Sequence, residues 1–228
     1  MEDINMKLIN LWETTSSEYL NELMPFFVDK LESQRVTYVG LNPSFSEKGY
    51  ETGLRDTLYK DINIRDFYSF PESDHFVLEK ALDIERKMMK CYPYFKPFGD
   101  LLDGTAEMWN HIDLFYLRET SQEKLRKSIF LKTGVLNKFG RDQMDITKSI
   151  LVGLAPKAIV VVNALASNIF KEEYKLNFDE YHGCYFTRVS GRNVPTFLTS
   201  MLSGQRALDI FSRERLGWHI RKVLKDVN

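Results

Sequence analysis

Three short stretches carry the side chains best placed for chemistry. They are Gly40-Leu41-Asn42-Pro43-Ser44, the acid Asp113 in the run His111 to Leu117, and Leu198-Thr199-Ser200-Met201-Leu202-Ser203-Gly204. The first and third lie where an apolar, β-branched strand gives way to a loop, and Asp113 sits on an otherwise apolar strand. Amide, carboxyl and hydroxyl groups there can hold a polar ligand or a water. Other chemistries lack their residues. There is no G-x-G-x-x-G, no Walker A loop and no G-x-S-x-G elbow. His75, His111, His182 and His219 form no i, i+4 pair, and Cys91 and Cys184 stand far apart. No metal site, disulfide or cofactor is therefore expected. Ser190-Gly191 and Ser203-Gly204 read as turns.

The elements that must position these groups follow from periodicity. The pattern predicts a helix over Ser16 to Ser33 with a break at Pro25, then a buried strand from Arg35 to Leu41 halted by Asn42-Pro43. A helix over Ser73 to Lys90 presents Phe76, Leu78, Ala81, Ile84 and Met88 on one face. His111 to Leu117 reads as a strand, followed by helices over Gln122 to Phe130 and Asp142 to Leu154. The clearest strand is Lys157 to Asn163, which runs straight into a helix over Ala164 to Lys171. Strands at Cys184 to Val189 and Val194 to Leu198 precede a closing helix from Arg206 to Lys225. Trp218 on that helix reads as core.

Continuous apolar strands are buried on both faces, the mark of a parallel sheet covered by helices. The alternation argues an α/β fold, a three-layer α/β/α sandwich with a mostly parallel central sheet. In such sheets ligands sit beyond the carboxyl ends of the strands, which brings Asn42, Asp113 and Thr199 to Gly204 to one rim.

The 228 residues fit a single domain spanning 1–228. The net charge of −1 hides an uneven distribution. Residues 1–35 hold seven acids against three bases, and residues 188–225 hold eight bases against two acids. A basic face for a polyanion is one reading of the second stretch, and a solvated helix face is the other. No apolar run approaches a membrane span, and the polar, acidic N-terminus reads as neither signal nor transit peptide. A cytoplasmic protein without membrane contact is expected.

Taken in order, the motifs resemble those of the uracil-DNA glycosylase superfamily. Gly40-Leu41-Asn42-Pro43-Ser44 is similar to its G-x-[D/N]-P motif, whose acid or amide orients the attacking water. Lys157 to Asn163 with its helix looks like the third core strand and helix. Leu198 to Ser203 lines up with the H-P-S-x-L-S motif, and Gly204-Gln205-Arg206 with the basic terminal helix continues the likeness. Pro93-Tyr94-Phe95-Lys96-Pro97-Phe98 looks like the segment that stacks an aromatic on the target base, with Asp113 in the place of a base-reading Asn. The resemblance covers roughly residues 35–225.

It implies a uracil-DNA-glycosylase-like fold and a monomeric DNA N-glycosylase acting in DNA repair without a metal or organic cofactor. Such an enzyme flips a damaged or deaminated base into a pocket and excises it by water attack at the glycosidic bond. Asn42 would hold the water through its side-chain carbonyl. Gly40, Leu41, Pro43, Ser44, Phe45, Tyr94, Phe95 and Asp113 would surround the base. Ser200, Ser203, Gly204, Gln205 and Arg206 would grip the DNA backbone, with Leu202 as an apolar wedge. Two departures stand out. Leu198 or Thr199 occupies the place of the motif His, and an ionised Asp113 would accept hydrogen bonds only, which favours guanine over uracil. A non-catalytic nucleic-acid-binding module and a pocket for a free nucleobase or nucleotide are the alternative readings.

Overall fold

The computed structural model describes residues 2–70 and 77–227. The chain forms two compact units, each assembled from three separated segments. The first takes residues up to 30, 42–92 and 114–148, and the second takes 31–41, 93–113 and 149 onward.

The second unit holds a six-stranded sheet. Its strands are β1 (Val36–Gly40), β2 (Trp109–Asp113), β3 (Ala158–Val162), β4 (Phe178–Asp179), β5 (Cys184–Val189) and β6 (Arg192–Thr199), in the order β2-β1-β3-β6-β5-β4. β2, β1, β3 and β6 run parallel, while β5 pairs antiparallel with both β6 and β4. Every residue of β1 and β3 is buried, which is why β3 reads as an unbroken apolar run and β1 as one interrupted only by Thr37. β1 lies between β2 and β3, so the strand order reverses beside it, and the crevice at such a reversal is where open α/β sheets bind ligands. The β5–β6 hairpin turns on Ser190 and Gly191, both at positive φ (49° and 81°), the two-residue geometry that matches strand twist.

One sheet face carries Val36, Tyr38, Val160, Val162 and Phe197 into a core shared with α5 (Lys96–Asp100) and α9 (Ile210–Val227). α8 (Ala164–Glu173) starts where β3 ends, and the Asn163 side chain accepts from the Leu165 and Ala166 amides to cap it.

The first unit is helical. It comprises α1 (Glu2–Thr14), α2 (Glu47–Leu54), α3 (Ile64–Phe67), α4 (Val77–Cys91), α6 (Gln122–Ile129) and the part of α7 (Lys138–Leu154) up to residue 148. Its core gathers Met24, Phe27, Leu54, Ile64, Ile84 and Met88.

Several expected boundaries are corrected. The helix over Ser16 to Ser33 does not form. α1 lies upstream, with Leu8, Leu11 and Trp12 buried at helical spacing. Residues 23–28 instead spend their backbone groups on other segments. Met24 N–H donates to Tyr68 O, Phe26 N–H donates to Tyr116 O, and the Asn5 amide clips Val28 through both its groups. Pro25 within the segment disfavours a helix there. Strand β2 ends at Asp113, four residues before the expected Leu117. The closing helix starts at Ile210 rather than Arg206, because Asp209 is the residue whose carboxylate accepts from the Ser212 amide in the first turn. Trp218 is 57% exposed, not core. Residues 71–76, where the helix at Ser73 was expected to begin, lie outside the described residues.

Candidate functional site

In the second unit the ends of β1 and β2 meet in register, with Tyr38 beside His111 and Gly40 beside Asp113. Alternation along a strand sends His111 and Asp113 to one face. A Cβ built on Gly40 would stand 2.1 Å from Asp113 Oδ1 and 3.2 Å from His111 Nε2. The carboxyl therefore lies against the β1 backbone, in space that glycine alone leaves open. Asp113 Oδ1 is 3.8 Å from His111 Nε2, and both side chains are almost wholly buried.

Burial decides their charge. Desolvation pushes the Asp113 carboxyl up to about 8 and pulls the His111 imidazole down to about 3. Near neutral pH the pair is thus a protonated acid beside a neutral imidazole. His111 Nε2 is buried without a hydrogen-bond partner among the described residues.

Aromatic rings wall this pair. Tyr94, Phe95 and Phe98 stand 6.0, 5.2 and 5.6 Å from the His111 ring. Phe98 also stacks on Tyr38, whose hydroxyl donates to Phe98 O. Tyr94 and Phe95 are half-buried, and Phe98 is fully buried.

Asn42 belongs to the first unit. Its Nδ2 donates to Glu119 O (2.7 Å), Leu117 O (3.0 Å) and Pro43 O (3.1 Å). Carbonyls only accept, so these contacts fix which end of the amide is nitrogen. Oδ1 faces the other way and accepts from no protein group among the described residues. Pro43 O also receives the Glu119 amide. Leu41, in the second unit, is buried, and Ser44 is exposed. Phe45 packs against Tyr50 and Tyr68 in the first unit, and its carbonyl accepts from the Thr120 hydroxyl.

Residues 117–119, which hold Asn42, are anchored in turn by Arg118. Its guanidinium is fully buried, 3.9 Å over the Tyr68 ring and 5.1 Å over that of Phe26. Nη1 donates to Glu85 Oε1 and to the Tyr50 hydroxyl, and Tyr50 and Tyr68 both donate to the same Glu85 oxygen. Burial works against the charge on Arg118, but Tyr50, Glu85 and Tyr68 outweigh it and hold the group protonated. Asn21 Nδ2 donates to Arg118 O at 2.5 Å.

The third motif is placed at the end of β6 in the second unit. Ser167 Oγ donates to Thr199 O, tying α8 to the strand end. Residues 201–208 close a loop in which Leu208 N–H donates to Met201 O and Gly204 takes φ +85°. Ser200 and Ser203 are half-buried, and Gly204, Gln205 and Arg206 are exposed. Leu202 corrects the expectation of a wedge. It is 1% exposed and belongs to the core shared with α9, so it presents nothing to a base stack. Arg206 does not lie at a helix N-terminus, and Asp209 already caps that of α9.

Compared with known families and curated proteins, the chain matches no family model and no curated sequence. The site therefore stands on its own residues.

Two buried groups carry no role in the sequence reading. For His111 the i, i+2 spacing to Asp113 on a strand was the signal of a shared face. The Arg118 network had a fainter signal, a lone charge ending the apolar run Leu114-Phe115-Tyr116-Leu117.

Proposed function

We propose that this chain reads a single nucleobase with Asp113 at the carboxyl ends of β1 and β2 and excises it in the manner of the uracil-DNA glycosylase superfamily. The observation that carries the reading is the protonated Asp113 carboxyl seated over Gly40 beside neutral His111. A protonated carboxyl offers one O–H donor and one carbonyl acceptor, the same pair as the amide of an Asn. That pair complements the N3–H and O4 of uracil and equally the N1–H and O6 of guanine or hypoxanthine, so the guanine preference drawn from an ionised acid is lost and uracil is admitted. Tyr94 and Phe95 supply flat rings beside the pair.

Glycosidic cleavage places positive charge on the sugar and negative charge on the departing base. The Asp113 O–H stabilises the anion at O4, taking on part of the work of the absent motif His. Water then attacks the sugar carbon from which the base departs, and a dissociative reaction asks little base strength of whatever group holds that water. With Leu202 in the core, the chain has no wedge there to expel a base from a duplex, so the preferred substrate is a base already out of a stack, in single-stranded DNA.

Oligonucleotides carrying uracil, hypoxanthine or xanthine test the reading. Release of uracil is expected, faster from single than from double strands and abolished by Asp113→Ala. No release from any substrate, with salt-sensitive binding retained, favours a nucleic-acid-binding module that lost catalysis, which Leu198 and Thr199 in the place of the motif His also support.

A further inference from the structure

One face of α9 is built unlike any other surface helix of the second unit. Phe211, Arg215, Trp218, Lys222 and Lys225 follow one another at i, i+4, i+7, i+11 and i+14. At 100° per residue these fall within roughly 80° of arc, a single stripe about 21 Å long. All five are exposed, Phe211 at 75% and Trp218 at 57%. The stripe holds two aromatic rings and three cations, with exposed Glu214 and Asp226 bordering it on either side. The Lys222 ammonium lies 5.4 Å over the Trp218 ring.

The stripe is held outward by the opposite side of the helix. Gly217, Ile220, Val223 and Leu224 are buried there. A Cβ at Gly217 would meet Leu101 O at 3.2 Å, and Arg221 Nη1 donates to that same carbonyl. A third exposed ring stands on a loop tied to this helix. His219 Nε2 hydrogen-bonds to His182 O at 2.6 Å, Gly183 takes φ +68° against the His219 ring, and neighbouring Tyr181 is 89% exposed.

We infer that this face of α9 docks single-stranded nucleic acid, with bases on Phe211 and Trp218 and phosphates on Arg215, Lys222 and Lys225. Two flat rings two helical turns apart, each with a cation one turn away, complement a strand that offers a flat face and a negative charge at every nucleotide. An acidic helix would meet the cations but would leave the rings without partners of their own shape. These residues lie outside the base-reading site, so the inference stands whether or not a base is excised.

Fluorescence tests it, because Trp12 is buried, Trp109 is half-buried and Trp218 is the exposed tryptophan. Oligo-dT of twenty nucleotides, which carries no uracil, is titrated into the full chain at several salt concentrations. Quenching is expected, with a log–log salt slope near −2 for about three phosphate contacts at roughly 0.7 each. Trp218→Phe, which keeps a ring, removes the fluorescence change while retaining affinity measured by anisotropy of a labelled strand. Phe211→Ser with Trp218→Ser weakens that affinity roughly ten-fold or more, and Arg215→Glu with Lys222→Glu does so while flattening the salt slope. Unchanged melting curves establish that these exposed variants still fold. The inference is overturned if oligo-dT neither quenches nor binds, or if polyglutamate of equal length binds as well. It is also overturned if anionic phospholipid vesicles outcompete the strand, or if the chain proves to be a dimer that the same substitutions dissociate.

Discussion

The carboxyl oxygen of Asp113 lies where the β-carbon of residue 40 would be, 2.1 Å from that position. Gly40→Ala must therefore displace the carboxyl or part β1 from β2. A loss of about 1–3 kcal/mol is expected, the usual cost of overpacking a buried site. Urea denaturation measures it, and Gly40→Ala made together with Asp113→Ala should cost less than the sum of the two single changes.

Asp113 and His111 give opposite pH dependences. An acid raised from 3.8 to about 8 makes the native state bind more protons, so its contribution is present at low pH and is lost as pH rises to 8. A histidine lowered from 6.5 to about 3 contributes above 6.5 and loses that contribution as pH falls towards 3. The two slopes cancel between about 4 and 6.5 and leave only the Asp113 loss from 6.5 to 8. That loss is about 2 kcal/mol at 1.36 kcal/mol per unit. Unfolding midpoints at pH 6.5 and 8.5 should differ by this amount more in the native chain than in Asp113→Asn.

Asn42 cannot be exchanged for the acid of the same shape. Asn42→Asp would turn an acceptor towards three carbonyls that now receive N–H groups. It should destabilise the chain more than Asn42→Ala, which leaves those carbonyls without a donor at a cost of about 1–3 kcal/mol. Thermal unfolding of the two variants ranks them.

Arg118→Met would leave Glu85 and two tyrosine hydroxyls in the core of the first unit without their cation. A loss of about 3–5 kcal/mol is expected from breaking such a pair. Adding Glu85→Met should recover only part of it, because Tyr50 and Tyr68 then lose their shared acceptor. Denaturant midpoints of the single and double variants measure the difference.

The sheet was legible in the sequence where burial on both faces writes an apolar run, as in β1 and β3. Cys184 to Val189 was legible to the residue. Segments whose structure depends on distant partners were not. Residues 23–28 read as a helix broken at Pro25, yet the Met24 and Phe26 amides pair with Tyr68 and Tyr116, which lie far along the chain. Leu202 and Trp218 exchanged the expected roles, core for surface, and single residues of either kind carry no local signal of which face they take. Asp113 was visible as a site residue, but its protonation state depends on burial, which composition does not report. The Arg118 network draws on four separated stretches of chain, and no local pattern announces it.

The interleaving of segments has a consequence for biosynthesis. The chain crosses between the units after residues 30, 41, 92, 113 and 148, so neither unit is one continuous stretch of chain. β1 leaves the ribosome with neither neighbour made. β2 follows at Trp109 and β3 only at Ala158, so this β-branched strand waits with both edges unpaired. Such a strand in a nascent chain is a template for wrong pairing. Asn42 and Pro43 at its end, and Gln34 and Arg35 before it, confine that template to five residues, a gatekeeping duty that begins before the fold exists.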